Sequence, residues 1–499
     1  MRKLMLASAA MLGATSGIAS AQTPVPAGAN MMMQPTQGQM ALPWAQGPSS
    51  NNNNNGSGQP NTYSGGAAFP KNAVPTPGTV VIRLNGRVEV DMVASWSPNA
   101  NVLGAQTNPI SFGSYMRLYP GVDGMATNGL RYGASIELRE NFPGSTAQPA
   151  PALSPAPSAS TFTSGETVFV RRAFTYLAAD NFGMLRFGQT DGVLGLFDPC
   201  IFYSGCFDAG IGNINGGALQ ANGTTGATAV LYAWLAQAGA EYGNNKIVYM
   251  SPQWFGFDFG VQYAPNMGNS LANCAVAATA CTNATTGTDA TRWYNQVGVG
   301  VRWQGTVGPV GLGAYAFYET AGKESFFGPG VSAGRGVTGN RFDNLSFVSA
   351  AGYATFNTGV GTVTWAVDYI GGNMNGQLVM RPQGGASENA IVTGLLYRNG
   401  PITLGTQVAV VETQGQASLT GISQRHEFEV TFGGNYNIAP GMYLVGEYMY
   451  TQRHQGGFDF VTGANGAGAT GIPGTASWKA GLTRDVHSNG ILFSTVVTW

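Results

Sequence analysis

The chain has 499 residues, of which only 9% are charged, and its formal net charge at pH 7 is −1. Ordinary soluble domains carry roughly 25% charged residues, so the composition argues against a cytosolic globular enzyme. It argues equally against a helical membrane protein, because no apolar stretch of about 20 residues follows the N-terminus. The 25 Phe, 20 Tyr and 9 Trp are too many for a disordered coil. A large β-rich protein remains.

The N-terminus has the layout of a secretory signal peptide. Arg2 and Lys3 form a positive start, residues 4–12 form a short apolar run, and residues 19–21 form an A-x-A cleavage motif. A short membrane anchor is the alternative, but the apolar run is brief and ends in small residues. We therefore expect residues 1–21 to be removed on export. The 24 acidic residues then slightly outnumber the basic ones, which gives no general attraction to nucleic acid.

Residues 22–78 form a low-complexity stretch that contains nine prolines, three consecutive methionines and five consecutive asparagines. Such a segment buries too little apolar surface to offset the entropy lost on ordering. We expect a disordered periplasmic segment. The alternative is that part of it packs on the domain that follows.

Strict alternation of polar and apolar residues begins near Thr79. In residues 81–92 the odd positions from Arg83 onward are charged or Asn, whereas the even positions are apolar or Gly. The same parity recurs in residues 112–118 and 130–139. Successive side chains of a strand point to opposite faces, so these segments predict strands with one apolar and one charged face. Alternation alone would also fit a large soluble sandwich.

The links between the strand-like segments favour a barrel. Short links lie at 179–182, 251–254, 304–308, 357–359, 398–401 and 437–441, and long links lie at 141–164, 191–243, 265–291, 321–342, 372–388 and 455–486. Short turns at one rim and long loops at the other are typical of a transmembrane antiparallel β-barrel. Counting from Thr79 gives about sixteen strands. Eighteen is the alternative, because residues 477–484 fit either the last loop or a further hairpin.

The last residues, 491–499, predict the strand that closes this barrel, because Ile, Phe, Val and Trp fall on its odd positions. In hydrocarbon every backbone polar group needs an internal partner, so a spanning sheet has no free edge. A soluble strand that happens to end the chain is the alternative. The tryptophans divide between the two expected rims, with Trp254, Trp303 and Trp499 near short turns and Trp96 and Trp293 near long loops.

Several stretches resemble the Gram-negative trimeric general porins. Residues 169–177 followed by 182–189 are similar to the fourth and fifth strands of that family, and residues 245–252 followed by 255–263 are similar to its sixth and seventh. The long Pro- and Asn-rich tail suggests an alphaproteobacterial-type variant. The resemblance implies that the barrel, residues 79–499, is a homotrimer among outer-membrane lipids. It would let small hydrophilic solutes and ions diffuse passively, with no cofactor.

The resemblance also implies that the long third loop, residues 191–243, folds inward and narrows the pore. This loop carries Asp191, Asp198 and Asp208. Strand parity places seven arginines on the facing wall: Arg83, Arg87, Arg117, Arg131, Arg139, Arg171 and Arg186. Arg171 matches a constriction arginine of the family, whereas Arg172, of opposite parity, is expected to point outward. A basic wall opposite an acidic loop would orient polar solutes.

Two features keep the ion preference open. The family commonly has another arginine before the sixth strand, whereas here Lys246 is the only nearby cation. The acidic Glu89, Asp91 and Glu137 share the face of the arginines and offset a weak anion preference. Any single arginine could instead only solvate a wide lumen.

The four cysteines form two local pairs, Cys200 with Cys206 and Cys274 with Cys281, in the third and fourth loops. Neither spacing is a zinc signature, so no metal site is expected there. In an oxidising compartment we expect two disulfides, each closing a short loop.

Three other functions are weighed. An enzyme would need a catalytic group built around a histidine, and the sequence offers only His426, His454 and His487. Glu427 and Glu429 lie beside His426 and form a possible acid–base pair with it, but a polar patch on the outer surface would account for these two glutamates equally well. A sugar-selective channel would need an aromatic track, and Tyr115 and Tyr119 share the parity of Arg117. A structural or adhesive barrel would use loop 191–243 as a plug.

Overall fold

The structure, a computed structural model, describes residues 75–96, 110–141, 168–179, 181–190, 192–197, 245–266, 293–323, 343–375, 380–381, 383–415, 423–439, 441–459, 464–465 and 485–499. The signal peptide, nearly all of segment 22–78, the four cysteines and the ambiguous residues 477–484 lie outside these ranges. The sequence predictions for them stay predictions.

Sixteen strands form one sheet. They are β1 (Thr79–Trp96), β2 (Ile110–Met125), β3 (Arg131–Asn141), β4 (Phe169–Ala179), β5 (Gly183–Gln189), β6 (Asn245–Met250), β7 (Phe257–Asn266), β8 (Trp293–Val307), β9 (Val310–Lys323), β10 (Leu345–Asn357), β11 (Thr362–Asn373), β12 (Glu388–Asn399), β13 (Ile402–Thr413), β14 (Arg425–Ala439), β15 (Met442–Gln455) and β18 (Asp485–Thr498). Two very short strands, β16 (Phe458–Asp459) and β17 (Ala464–Asn465), pair only with each other. One helix, α1 (Val193–Phe197), follows β5. No helix in the described part of the chain is long and apolar enough to cross a membrane.

Every barrel strand pairs antiparallel with its neighbours, and β1 pairs with β18, so the sheet closes on itself. The predicted barrel of sixteen strands is confirmed, and the alternative of eighteen does not hold for this sheet. Closure leaves no edge strand with unpaired N–H and C=O groups. Both ends of the sheet, Thr79 and Thr498, lie at the rim with the short turns.

The two faces of the barrel are inverted relative to a soluble protein. Large apolar side chains cover the outside, as at Ile82, which is 75% exposed, and at Phe432, which is 58% exposed. Charged side chains such as Glu89 and Arg186 are buried on the inside. Lipid tails stabilise an outer apolar band, whereas a polar lumen stabilises inward charges. The soluble sandwich is therefore wrong.

Aromatic side chains gather at the short-turn rim, as the sequence predicts. The rings of Trp254 and Phe259 stack with centroids 6.2 Å apart, and those of Phe257 and Trp303 lie 6.4 Å apart. Amphipathic rings favour the boundary between lipid and water. The β12–β13 turn at this rim contains Gly400, whose φ of 55° disfavours most other residues.

The seam of the barrel is sealed by the last residue. Gly86 and Trp499 exchange two backbone hydrogen bonds, each 3.1 Å long. The indole ring of Trp499 lies over Gly86 on the outer face and occupies the space that a Cβ at Gly86 would need. A glycine opposite an aromatic residue thus joins the first strand to the last.

Candidate functional site

Helix α1 lies inside the barrel. Three residues separate it from the end of β5, so it lies within the predicted third loop, and all five of its residues are buried. It contacts the inner faces of β6, β7, β8 and β9. The described beginning of the third loop therefore turns inward, against one wall.

Two glycines of the barrel wall and one side-chain amide hold helix α1 against the wall. The backbone N–H of Val193 donates a 2.5 Å hydrogen bond to Oε1 of Gln262. A Cβ added at Gly260 would lie 2.7 Å from Val193 Cγ1, and one at Gly300 would lie 2.9 Å from Phe197 Cε2. Both distances are shorter than carbon–carbon contacts allow, so glycine at these positions lets α1 approach the wall.

Arg302 binds the C-terminal end of helix α1. Its guanidinium donates to both carboxylate oxygens of Asp258, at 3.1 and 2.5 Å, and lies 4.9 Å from the centroid of Phe197. Its Nη1 also donates to the backbone oxygen of Leu196 at 3.4 Å. One cation thus holds an acidic side chain, an aromatic face and a helix-end carbonyl.

A buried carboxylate fixes the amide that holds the start of α1. Gln262 Nε2 donates to Glu319 Oε2 at 2.8 Å, and Gln296 donates to the other oxygen of Glu319. Because Glu319 accepts from Nε2 of Gln262, the amide is oriented with its Oε1 toward the backbone N–H of Val193.

The predicted arginines occupy a continuous stretch of β1–β5. Strand register places Arg87, Arg117 and Arg139 directly opposite one another across β1, β2 and β3. Arg87 and Arg186 are buried, Arg117 is half-buried, and Arg131 is half-buried at the short-turn end of β3. The side chains of Arg83, Arg139 and Arg171 lie outside the described part of the structure, as do Asp191, Asp198 and Asp208.

The predicted outward orientation of Arg172 is wrong. Arg172 is 1% exposed, and its Nη1 lies 2.8 Å from Glu137 Oε2. The inner face of β4 carries Phe174 and Tyr176, both buried, so even positions point inward on this strand. A register shift between β3 and β4 leaves Arg171 as the additional residue of a bulge.

Acidic groups are interleaved with these arginines. Arg87 pairs with Glu89, and Tyr176 donates its hydroxyl hydrogen to Asp123. Ser494 of β18 donates to Asp91 at 2.5 Å. The wall is therefore a mixed surface of ion pairs and hydrogen bonds rather than a uniformly basic one.

A second set of inward charges, on β12–β15, was missed by the sequence analysis. Arg453 Nε lies 2.8 Å from Glu427 Oε1, and Arg425 donates to Gln455 at 2.9 Å. The members are Arg398, Arg425, Arg453, Glu388, Glu427, Glu429 and Glu447. The alternation rule that found the β1–β5 arginines also finds these, because they share inward parity on their strands.

The strand order places the two charged sets on one side. β18 joins β15 to β1, so charges run from β12–β15 across Ser494 to β5. Helix α1 lies on β6–β9, the opposite stretch of the ring. A charged arc facing an inserted segment across a closed barrel is the geometry of a narrowed water-filled channel.

A family model described as Gram-negative porin matches residues 7–456. The chain belongs to this porin family. With the inverted barrel, membership makes the protein an outer-membrane channel of a Gram-negative bacterium.

Solved structures with a similar fold include an anion-selective porin from Comamonas acidovorans, at 16% identity and a TM-score of 0.48, with 84% of this chain and all of that chain covered. A loop-deletion mutant of OmpT, an outer membrane protein of Vibrio cholerae, matches at 12% identity and a TM-score of 0.46, covering 84% and 99%. A mutant of the Rh. blastica porin matches at 12% identity and a TM-score of 0.39, covering 83% and 100%. No curated protein matches the chain.

In this porin the suggested acid–base pair does not form. His426 points outward, whereas Glu427 points inward, where it pairs with Arg453. Glu429 accepts a hydrogen bond from Gln407 at 2.9 Å, also on the inner side. Of the two tyrosines considered for a sugar track, Tyr119 is buried inside, and the side chain of Tyr115 is outside the described part.

Proposed function

We propose that this porin passes small hydrophilic solutes and ions by passive diffusion, through a lumen narrowed by the loop that α1 begins. The observation that carries the proposal is α1 seated on β6–β9 opposite the charged arc. Solutes would cross between an apolar helix and a wall of ion pairs. Such an asymmetric constriction favours polar over apolar solutes. A polar solute can replace the water that hydrates the charges of the wall, whereas an apolar solute would leave these charges without hydrogen-bond partners.

No cofactor is needed for this function, since the solute gradient supplies the driving force. We also propose that the porin is not an enzyme, because Glu427 and Glu429, the carboxylates considered as acid–base partners of His426, lie on the opposite face of β14. The ion preference is expected to be weak, because acidic and basic groups alternate along the arc.

The deciding experiment is single-channel recording in a planar bilayer under a salt gradient, with purified mature protein. We expect steps in groups of three, with conductance proportional to bulk salt. Conductance that saturates and is blocked by one sugar would replace the proposal with a substrate-selective channel. A silent membrane containing correctly inserted protein would favour the plugged, adhesive barrel.

We further propose that the mature protein begins at Gln22, assembles as a homotrimer and carries disulfides Cys200–Cys206 and Cys274–Cys281. The family, the A-x-A motif and the oxidising compartment support these expectations. Intact mass spectrometry of native assemblies tests the first two. Alkylation of unreduced protein tests the third, and labelling at any of the four cysteines would contradict it.

A further inference from the structure

All three histidines of the 499-residue chain lie in one patch on the outer face of the barrel. Four residues form a transverse row there, because register places Glu412 opposite His426, His426 opposite His454, and His454 opposite Asp485. The row crosses β13, β14, β15 and β18. His487 lies two residues from Asp485 on the same face.

The row lies at the rim with the long loops, beyond the apolar band. β14 begins at Arg425 and β15 ends at Gln455, so His426 and His454 are next to these strand ends. Further along the same outer face come aromatic residues, with the rings of Phe428 and Tyr450 packed 6.5 Å apart. Because long loops mark the extracellular side, the row faces the outer headgroup region.

Each histidine of the row is held by a carboxylate through the same ring nitrogen. Nδ1 of His426 lies 3.2 Å from Glu412 Oε1, and Nδ1 of His454 lies 2.7 Å from Asp485 Oδ1. No described residue makes a hydrogen bond with Nε2 of either ring. Carboxylates that bind one imidazole nitrogen and leave the other for a metal are the usual partners of metal-binding histidines.

We propose that His426 and His454 bind one divalent transition-metal ion, of the zinc or copper class, through their Nε2 atoms. Borderline ions of this class prefer imidazole nitrogen, whereas magnesium and calcium prefer oxygen ligands. Glu412 and Asp485 act as positioning residues that orient the two rings. Water molecules complete the coordination on the open outer side.

The distances allow this site after a small side-chain rotation. The two imidazole centroids lie 6.5 Å apart. Two Zn–N bonds of about 2.0–2.1 Å at a tetrahedral angle bring the centroids to roughly 5 Å. Both rings are exposed enough to rotate by this amount. Among the described residues no three His, Cys, Asp or Glu side chains already surround a common point, so the site depends on two protein ligands.

The test uses untagged mature porin in detergent micelles, titrated with zinc chloride by calorimetry. We expect one ion per chain, and His426→Gln or His454→Gln should each lower the affinity at least tenfold. Asp485→Asn should lower it by about tenfold, as is typical for a carboxylate behind a histidine ligand. His487→Gln is the matched control, because its ring packs against Tyr450, at 6.2 Å, and it should change the affinity less than twofold.

Copper provides a second measurement, which reports directly on metal ligands and would not change if the two histidines were merely structural. Electron paramagnetic resonance of bound Cu²⁺ should show two equivalent nitrogens in the wild type and one in either single variant. Zinc binding unchanged in His426→Gln/His454→Gln, or an equal loss in His487→Gln, would overturn the proposal. Heat-modifiable migration on gels verifies that each variant has folded, and channel conductance should not change.

Discussion

Arg302 is the residue on which the anchoring of α1 most depends. Its pair with Asp258 is largely buried, with side-chain exposures of 13% and 8%. The parity of β8 alone indicates that Arg302 points inward. Arg302 contacts Phe197, which lies more than a hundred positions away in the chain, and no local sequence pattern predicts such a contact.

Replacing Arg302 by Ala should destabilise the barrel by about 3–5 kcal/mol, because it leaves Asp258 buried without its partner. Arg381→Ala is the matched control, since Arg381 also binds one carboxylate, Asp343, at 2.5 Å, but at a more exposed site. Its loss should cost about 1 kcal/mol or less. Urea unfolding in micelles measures both values, and equal losses would contradict the anchoring role.

Arg117 provides a test of the charged arc. It is half-buried and lies opposite Arg87 and Arg139, so Arg117→Glu should shift the reversal potential toward cation preference. Asp485→Lys is the control, because it reverses a charge on the outer face. A shift of similar size in the control would mean that general surface charge, rather than the lumen wall, sets ion preference.

Helix α1 shows what element-scale packing adds. Its five residues are too few to form a stable helix in isolation, and the surrounding wall stabilises it. Sequence reasoning placed a loop at this position and expected it to turn inward. It did not predict the helix, because the helix depends on the space that Gly260 and Gly300 leave on two other strands.

Gly300→Val should therefore push Phe197 away from the wall and lower single-channel conductance. The new side chain would occupy space already within van der Waals range of the Phe197 ring. Gly352→Val is the matched control, because a Cβ there meets nothing closer than 3.8 Å. Unchanged conductance in Gly300→Val, with correct folding, would show that α1 does not border the conducting path.

At the scale of the whole molecule, closure depends on the contact between the two terminal strands. Trp499→Ala should destabilise the barrel by about 2 kcal/mol, roughly half the cost of emptying a fully buried aromatic site. The indole is 41% exposed, which is the reason for the reduction. Trp254→Ala is the control, because it removes an aromatic residue of the same rim away from the seam, and it should lower the free energy of unfolding less than Trp499→Ala does. Urea unfolding in micelles measures both values, and equal losses would contradict the special role of Trp499.

The sequence by itself determined the barrel, its strand number and the inward parity of Arg87, Arg117 and Arg186. These follow from a two-residue period and from the contrast of short and long links, both local properties of the chain. Only the tertiary structure decided that Arg172 points inward, because a bulge shifts register by one residue and exchanges the faces.

Tertiary structure also brought the three histidines together. His426, His454 and His487 are separated by 28 and 33 positions along the chain. The register of β14, β15 and β18 places His426 opposite His454, and His487 opposite Gln452, two residues along β15 from His454. The same holds for α1 and its two glycines. Pairing between strands selects which residues meet, and a periodic pattern along one strand carries no information about its neighbours' register.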